Sequence, residues 1–293
     1  MFKIRYNEPL FRPPAEANSA ILQVTLGCSW NRCAFCEMYS SKQFRVRKVE
    51  DLVPEIEILS KIYNGTRKVF LADGNAFVLS YEKMAPILIE VNKKFEKIQR
   101  ISSYALPKDI LSKTDDELKE LRSLGLKLLY IGIETGDDEL LGLINKGESY
   151  NSTLSGILKV QEAGIETSIM IINGLGGAKY SHQHAVNSAN IINQINPKYL
   201  STLTLSFPFG LNHFNQRFEG EYIPQTVVEL FEELRLFLSL TDLNNVIYRS
   251  NHVSNNLILE GVLSKDKEIL IEKIDRAITN TPKDIYPSLP LML

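Results

Sequence analysis

Short apolar segments alternate with longer amphipathic segments along the first two thirds of this 293-residue chain. The apolar segments are nearly continuous, which is typical of parallel strands covered by helices on both faces of a sheet. The predicted strands are AILQVTL (20–26), KVFLA (68–72), IQRISSYA (98–105), LKLLYIGIE (126–134), IETSIMIIN (165–173) and KYLSTLTLS (198–206).

Helical patterns separate these strands. One of them begins with a capping box formed by Thr114 and Glu117 and closes on a glycine. Six β–α units in a row predict an α/β fold, arranged either as an open, partial barrel or as a doubly wound sheet. In both arrangements the functional site lies at the carboxyl ends of the strands. The predicted helices are 49–63, 81–97, 114–125, 151–164 and 182–195.

The alternation stops near residue 207. The sequence therefore predicts an N-terminal arm over 1–19, a core over 20–206 and an α/β C-terminal extension over 207–293. In the extension we expect a helix at 226–240, a strand at 245–250 and a helix at 266–280. His182 and His184 begin the helix predicted at 182–195, where we expect a capping or surface role for both.

The net charge of −2 and the pI near 6.2 give no general attraction to nucleic acid or to an anionic membrane. The N-terminus lacks the apolar core of a signal peptide, and no segment reaches the roughly 18 apolar residues of a membrane span. Three cysteines are too few for a secreted disulfide scaffold. These features predict a cytoplasmic protein in a compartment that keeps thiols reduced.

All three cysteines lie within nine residues, directly after the first predicted strand. A disulfide between two of them leaves one thiol over. A structural zinc site needs a fourth ligand, such as Glu37, because the next histidine in the sequence is His182. The third interpretation is a 4Fe–4S cluster, in which three thiolates hold three irons and one iron stays open for a co-substrate. The cysteines are Cys28, Cys33 and Cys36.

The cysteine segment, with Phe35 before the last cysteine, resembles the radical S-adenosylmethionine (SAM) superfamily. The resemblance implies a partial (β/α)6 TIM-like barrel that binds a 4Fe–4S cluster through Cys28, Cys33 and Cys36. It also implies reductive cleavage of SAM to a 5′-deoxyadenosyl radical, with Phe35 near the adenine. The spacing here is C-x4-C-x2-C, whereas C-x3-C-x2-C is common in the family.

Further segments resemble the family at the ends of the later strands. The segment YIGIETGDDELLGLINKG (130–147) resembles a stretch of the subgroup that contains methylthiotransferases, the Elongator catalytic subunit and the nitrogenase-cofactor synthase. In that comparison Glu134 contacts the ribose or the amino acid portion of SAM. The resemblance assigns the remaining cofactor contacts to Asp73, Gly74 and Asn75 after the second strand, Ser103 after the third, Asn173 and Gly174 after the fifth, and Leu205 after the sixth.

The substrate is suggested only by the polar segment YRSNHVSNN (248–256). Its candidate substrate contacts are Arg249, Asn251, His252 and Asn255, and a loop that hydrogen-bonds to its own backbone is an equal alternative. No cysteine remains for an auxiliary cluster. The resemblance then implies hydrogen abstraction from, or adenosyl transfer to, a small-molecule or peptide substrate, with an electron donor such as flavodoxin or ferredoxin and no membrane partner. The alternatives are RNA modification and a zinc-binding structural protein without redox chemistry.

Overall fold

The computed structural model describes residues 4–287. Within this range the chain forms two compact units. The first unit holds the chain up to residue 31 together with 38–131 and 155–167. The second unit holds 32–37, 132–154 and the chain from 168 onward. The arm, core and extension predicted from the sequence remain a prediction.

The first part of the described range, from residue 4 to residue 134, contains six strands and four α-helices, with short 3-10 turns at Pro14–Glu16 and Ala76–Val78. In chain order these are β1 (Ala20–Gln23), β2 (Thr25–Leu26), β3 (Arg45–Val46), α1 (Val49–Ile62), β4 (Lys68–Ala72), α2 (Tyr81–Lys94), β5 (Arg100–Tyr104), α3 (Pro107–Leu111), α4 (Asp115–Ser123) and β6 (Leu126–Glu134).

The remaining elements follow in the same alternation until β8. They are α5 (Asp138–Leu143), α6 (Tyr150–Glu162), β7 (Glu166–Asn173), α7 (Gly177–Ile195), β8 (Tyr199–Thr204), α8 (Leu211–Asn215), α9 (Val227–Leu240), β9 (Ile247–Ser250), β10 (Leu259–Val262) and α10 (Leu263–Asn280). No helix of the described residues is both long and apolar enough to cross a bilayer.

Eight strands form a mainly parallel sheet in the order β1-β4-β5-β6-β7-β8-β9-β10. In the first unit β1, β4, β5 and β6 pair in parallel. In the second unit β8 pairs in parallel with β7 and β9, and β10 is antiparallel to β9. This topology confirms the predicted α/β class.

Each unit is held together by its own buried apolar side chains. In the first, helices α1 and α2 bury one apolar stripe each, and on the sheet Phe70 and Ile21 form a cluster with Tyr104 and Tyr130. The second unit has its own apolar cluster around Leu140, which includes Ile172 and Phe214. The predicted capping box of Thr114 and Glu117 is present at the start of α4.

Two local predictions were incorrect. The strand predicted over 20–26 ends at Gln23, and residues 25–26 instead pair with β3 in a separate two-stranded sheet. Helix α7 begins at Gly177, five residues before its predicted start, so that His184 lies inside the helix and is buried. The expected surface or capping role of His184 is therefore wrong.

Candidate functional site

Residues 27–39, which we call the cysteine loop, begin in the first unit beside a buried carboxylate. One oxygen of Asp73, Oδ2, accepts hydrogen bonds from the Gly27 backbone N–H at 3.0 Å and from Lys42 Nζ at 2.7 Å. Gly27 has a φ of 73°, a left-handed conformation that favours glycine. Asp73, which follows β4, therefore fixes the backbone immediately before Cys28.

The turn after β4 approaches the cysteine loop so closely that only glycine fits at its centre. A Cβ atom on Gly74 would lie 2.9 Å from Cys28 Cβ and between 2.5 and 2.8 Å from two ring atoms of Tyr39. Tyr39 is 3% exposed, so its ring has little room to move. The backbone of Gly74 thus lies directly against Cys28.

Two more side chains fix the first part of the cysteine loop. Asn75 Nδ2 donates to Ser29 Oγ at 2.8 Å and to Asp109 Oδ2 at 2.5 Å. The Lys108 ammonium lies 3.7 Å from the centroid of the Trp30 ring, a cation–π contact. Asp109 and Lys108 belong to the short helix α3, which sequence analysis did not identify.

Buried acceptor atoms without partners lie on both sides of Gly74. Asp73 and Asn75 are fully buried, yet Asp73 Oδ1 and Asn75 Oδ1 accept no hydrogen bond from any described residue. Buried acceptors are paired in the great majority of native proteins, so these two oxygens can accept hydrogen bonds from a donor group bound beside the cysteine loop. An ammonium group has the required chemistry.

In the second unit the cysteine loop continues over residues 32–37. The Ala34 backbone N–H donates to the Ile144 carbonyl at 2.8 Å, and the Cys36 N–H donates to the Cys33 carbonyl at 3.2 Å. Phe35 packs against the apolar cluster of this unit, which includes Leu205. The three cysteines form no disulfide, and each is partly exposed.

Glu134 ends β6 in a strained, left-handed conformation, with a φ of 67°. Its Oε1 accepts from Lys146 Nζ at 2.8 Å, and both side chains are at least nine-tenths buried. Burial lowers the pKa of Lys146, but the carboxylate of Glu134 and the thiols of Cys33 and Cys36 more than reverse this effect and hold its pKa above the ordinary value. Lys146 is therefore a buried cation close to two cysteines, with Phe35 5.6 Å away.

Glu134 also keeps one oxygen for another partner, because its Oε2 accepts no hydrogen bond from any residue in the described range. Lys146 lies in the segment 130–147 that resembles the family, but this lysine was not predicted as a site residue. Glu134 and Lys146 are twelve residues apart, and no helix or strand period brings residues at that spacing together. The sequence therefore contains no local indication of this ion pair.

The turn after β7 is held by helix α9. Asn173 Nδ2 donates to the Leu230 carbonyl at 3.0 Å, and the Gly174 N–H donates to Glu233 Oε1 at 2.6 Å. His184 Nδ1 is 2.8 Å from Thr135 Oγ1, and its Nε2 is 3.7 Å from the same Glu233 oxygen. The residues after β6 and after β7 are therefore linked through one buried polar network.

Of the predicted substrate residues, Asn255 and Asn251 bond to neighbouring strands and His252 bonds within its own segment. Asn255 holds this segment to β8, since its Oδ1 accepts from the Thr204 N–H at 2.7 Å. Asn251 bonds to Glu260, and Ser254 N–H donates to His252 Nδ1 at 3.2 Å. Arg249 is exposed on β9. Ser103 is buried, and its hydroxyl donates to the Tyr104 carbonyl at 2.9 Å.

Within residues 4–287, no three or more histidine, cysteine, aspartate and glutamate side chains surround a common point as ligands of one metal ion. A 4Fe–4S cluster makes a different demand, because each thiolate binds a different iron. The thiols of such a site are separated by the cluster and need not converge.

Comparisons with known proteins identify the family of this chain and several relatives. The family model described as "Radical SAM superfamily" matches residues 22–187. The chain is 24% identical over 151 residues to a Methanocaldococcus jannaschii protein named as a candidate methylthiotransferase, a match that covers 48% of this chain and 32% of the relative. It is also 24% identical over 125 residues to the heme chaperone HemW of Bacillus subtilis, with 42% of this chain and 33% of HemW covered.

Solved structures show the same fold at low sequence identity. Coproporphyrinogen III oxidase (HemN) from Escherichia coli, titled a radical SAM enzyme, matches 75% of this chain and 52% of its own with a TM-score of 0.59 and 17% identity. Methylornithine synthase (PylB) matches 92% of this chain and 84% of its own with a TM-score of 0.51 and 15% identity. The chain spans about a third of the length of the two curated relatives named above.

Proposed function

Because the chain belongs to the radical SAM superfamily, we propose that Cys28, Cys33 and Cys36 hold its 4Fe–4S cluster and that the protein reductively cleaves SAM. Enzymes of this superfamily use that cluster and SAM, so the chain is an enzyme with these cofactors. When bound, the cluster supplies the electron that cleaves SAM to methionine and a 5′-deoxyadenosyl radical.

The observation that carries the proposal is the contact between Gly74 and Cys28. Gly74 has no room for a Cβ atom beside Cys28, and the residues on either side of it each have a buried acceptor without a described partner. This arrangement fits a ligand that donates hydrogen bonds next to the cysteine loop. We assign the methionyl amine of SAM to the backbone of Gly74 and to the unpaired oxygens of Asp73 and Asn75. The other oxygen of Asp73 is already bonded to Gly27 and Lys42, so this residue also positions the cysteine loop.

In the second unit we assign the ribose or the amino acid portion of SAM to Glu134 Oε2, which is buried and without a partner among the described residues. Lys146 fixes the other oxygen of Glu134 and so sets the orientation of the carboxylate. The adenine side is assigned to Phe35, Asn173, Gly174 and Leu205, and Ser103 remains a further candidate. The bonds from Asn173 and Gly174 to helix α9 hold their turn rigid.

The reaction that we propose is hydrogen abstraction from, or adenosyl transfer to, a small molecule or peptide. The net charge of −2 supports such a substrate over nucleic acid. An electron donor such as flavodoxin or ferredoxin would reduce the cluster. Arg249, Asn251, His252 and Asn255 stay the candidate substrate contacts, with Asn255 also anchoring its segment to β8.

Anaerobic reconstitution with iron and sulfide tests this proposal. We expect roughly four irons per chain and, after reduction with dithionite in the presence of SAM, 5′-deoxyadenosine by mass spectrometry. Cys33→Ala should lose both, because no other cysteine exists to replace the thiolate. Met38→Ala is the matched control, since it changes an exposed sulfur-containing side chain of the same loop and should keep both. Deoxyadenosine formation that survives in Cys33→Ala would contradict the assignment.

A further inference from the structure

A segment of the C-terminal region, residues 211–219, packs against the second part of the cysteine loop. It contains α8, and its Phe214 and Phe218 are buried in the same apolar cluster as Ala34. The rings of Phe214 and Phe218 stack with centroids 5.3 Å apart, and Tyr222 lies 4.8 Å from Phe214 in an edge-on arrangement. Aromatic packing thus holds the backbone of residues 211–219 in place beside the cysteine loop.

Arg217 belongs to this segment. Its Nη1 donates to Glu37 Oε1 at 2.7 Å, and its Nη2 donates to the Cys33 carbonyl at 2.8 Å. His213 Nε2 lies 2.9 Å from the same Glu37 oxygen. The planar guanidinium of Arg217 therefore bonds at both ends of the segment 33–37, to the Cys33 carbonyl and to the Glu37 carboxylate.

Residues 33–37 lie in neither a helix nor a strand. Backbone hydrogen bonds run from the Ala34 N–H to the Ile144 carbonyl and from the Cys36 N–H to the Cys33 carbonyl. Irregular segments open more readily than helices and strands, and hydrogen bonds to a charged group are stronger than neutral ones. Glu37 is 10% exposed and Arg217 26% exposed, so water screens the pair only in part.

We propose that Arg217 is a positioning residue that orders the backbone of residues 33–37 before any cofactor binds, and so presets Cys33 and Cys36. The ordering itself is a property of the chain without a cofactor. Its value for cluster assembly rests on the proposed function. This role gives the C-terminal region, which lies outside the matched family residues, a direct part in building the cysteine site.

Hydrogen exchange of the chain without cluster, followed by mass spectrometry with residue-level fragmentation, tests the ordering. In Arg217→Ala we expect the Ala34 and Cys36 amides to exchange about fivefold faster or more, the effect of losing roughly one strong hydrogen bond. The Gly27 amide, which bonds to Asp73, should be unchanged. Arg217→Lys should give an intermediate rate, because lysine keeps the charge but not the two-pronged geometry.

Arg235→Ala is the matched control, since it removes an exposed arginine of α9 that pairs with Asp275 of α10 and bonds to no described residue of the cysteine loop. Unchanged exchange at Ala34 and Cys36 in Arg217→Ala would overturn the proposal. An equal rise across the whole second unit would also overturn it, because it would show a general loss of stability. If Arg217→Ala does not fold, the Arg217→Lys rates decide by the same criteria.

Anaerobic reconstitution of the same variants separates this proposal from the function. Slower iron uptake in Arg217→Ala than in Arg235→Ala, partly restored in Arg217→Lys, supports preset cysteines. If the unaltered chain takes up no cluster, the proposed function fails, while faster exchange in Arg217→Ala would still establish the ordering. If all variants take up iron at the same rate, the link from ordering to assembly is wrong although the function stands.

Discussion

Single side chains in the first unit fix the cysteine loop through charge-assisted hydrogen bonds. One oxygen of Asp73 accepts from the Gly27 amide, from Lys42 and from Gln23 Nε2 at 3.2 Å, while its other oxygen has no partner among the described residues. Replacing Asp73 would therefore disturb the loop and the proposed SAM contact together. A variant of the neighbouring Gly74 tests the packing against the cysteine loop without removing the Asp73 carboxylate.

Lys113 is a second charged group close to this site, and its charge is costly. Its Nζ donates to the Phe77 carbonyl at 2.8 Å and to the Asp109 carbonyl at 3.1 Å, and Asp109 bonds in turn to Asn75. Burial lowers the pKa of Lys113 from 10.5 to about 8. Below pH 8 the folded protein must hold a proton that the unfolded chain binds more tightly, which reduces the free energy of unfolding by about 3 kcal/mol.

The sign of the resulting pH dependence is fixed. Between pH 8 and pH 10.5 the unfolded chain holds more protons at Lys113 than the folded chain, so this residue makes the protein more stable as the pH rises. We predict that the unaltered protein gains about 2 kcal/mol relative to Lys113→Met between pH 7.5 and pH 10. Urea denaturation followed by circular dichroism at the two pH values measures the difference.

Lys119→Met is the control for that measurement, because it removes a lysine whose side chain is 62% exposed in the adjacent helix. The unaltered protein and Lys119→Met should respond alike to pH. Equal pH responses of the unaltered protein and Lys113→Met would show that the buried ammonium does not have the low pKa.

At the scale of elements, the turn after β4 lies directly against the cysteine loop. A methyl group at Gly74 would overlap the Tyr39 ring and Cys28 Cβ. We predict that Gly74→Ala lowers the free energy of unfolding by about 1–3 kcal/mol, as overpacking usually does. It should also lower the iron bound after anaerobic reconstitution, because Cys28 has to shift. Urea denaturation and iron analysis measure the two effects.

Gly142→Ala is the matched control, since a Cβ atom at this position in α5 would contact nothing within 4 Å. Alanine should stabilise that helix by up to about 1 kcal/mol and leave the iron content unchanged. If Gly74→Ala binds as much iron as Gly142→Ala, the close approach of the turn to Cys28 has no part in the site.

At the scale of the whole molecule, each unit has its own stabilising contacts. In the first unit the fully buried Glu16 ties the N-terminal segment to two strands, because its Oε1 accepts from Arg100 at 2.7 Å, from Ser102 at 3.0 Å and from Tyr130 at 2.6 Å. Burial, together with the carboxylate of Glu16, raises the pKa of Tyr130 above its ordinary value. The carboxylate is thus the common acceptor of three side chains that are distant in sequence.

We predict that Glu16→Ala destabilises the first unit by about 3–5 kcal/mol, the usual cost of breaking a buried ion pair by removing one partner. Trp30 is the only tryptophan of the chain and lies in this unit, so its fluorescence during urea denaturation reports the effect there. Lys61→Ala breaks an exposed pair with Glu57 in the same unit and should cost only a small fraction of that. Similar shifts of the Trp30 transition in both variants would contradict the importance of burial.

Long elements of the fold could be predicted from the sequence because their apolar periodicity repeats several times. The strands at 68–72 and 126–134 have the predicted bounds, and α1 differs by one residue. Helices α3, α5 and α8 were missed, since five or six residues are too few for a helical period to repeat. Helix α3 carries Lys108, which contacts Trp30, and Asp109, which bonds to Asn75, while α8 carries His213, which lies beside Glu37. The omission therefore affected the candidate site more than the fold.

The sequence by itself determined the features that depend on neighbouring residues. The spacing of Cys28, Cys33 and Cys36 is part of the sequence itself. Local apolar patterns predict the order of the β–α units and place Glu134 at the end of a strand. Only the tertiary structure decided the partners of these residues: Arg217 meets Glu37 across 180 positions of sequence, and Asp109 meets Asn75 across 34. Such pairs depend on how separate apolar faces pack against each other, and no local pattern of residues encodes that packing.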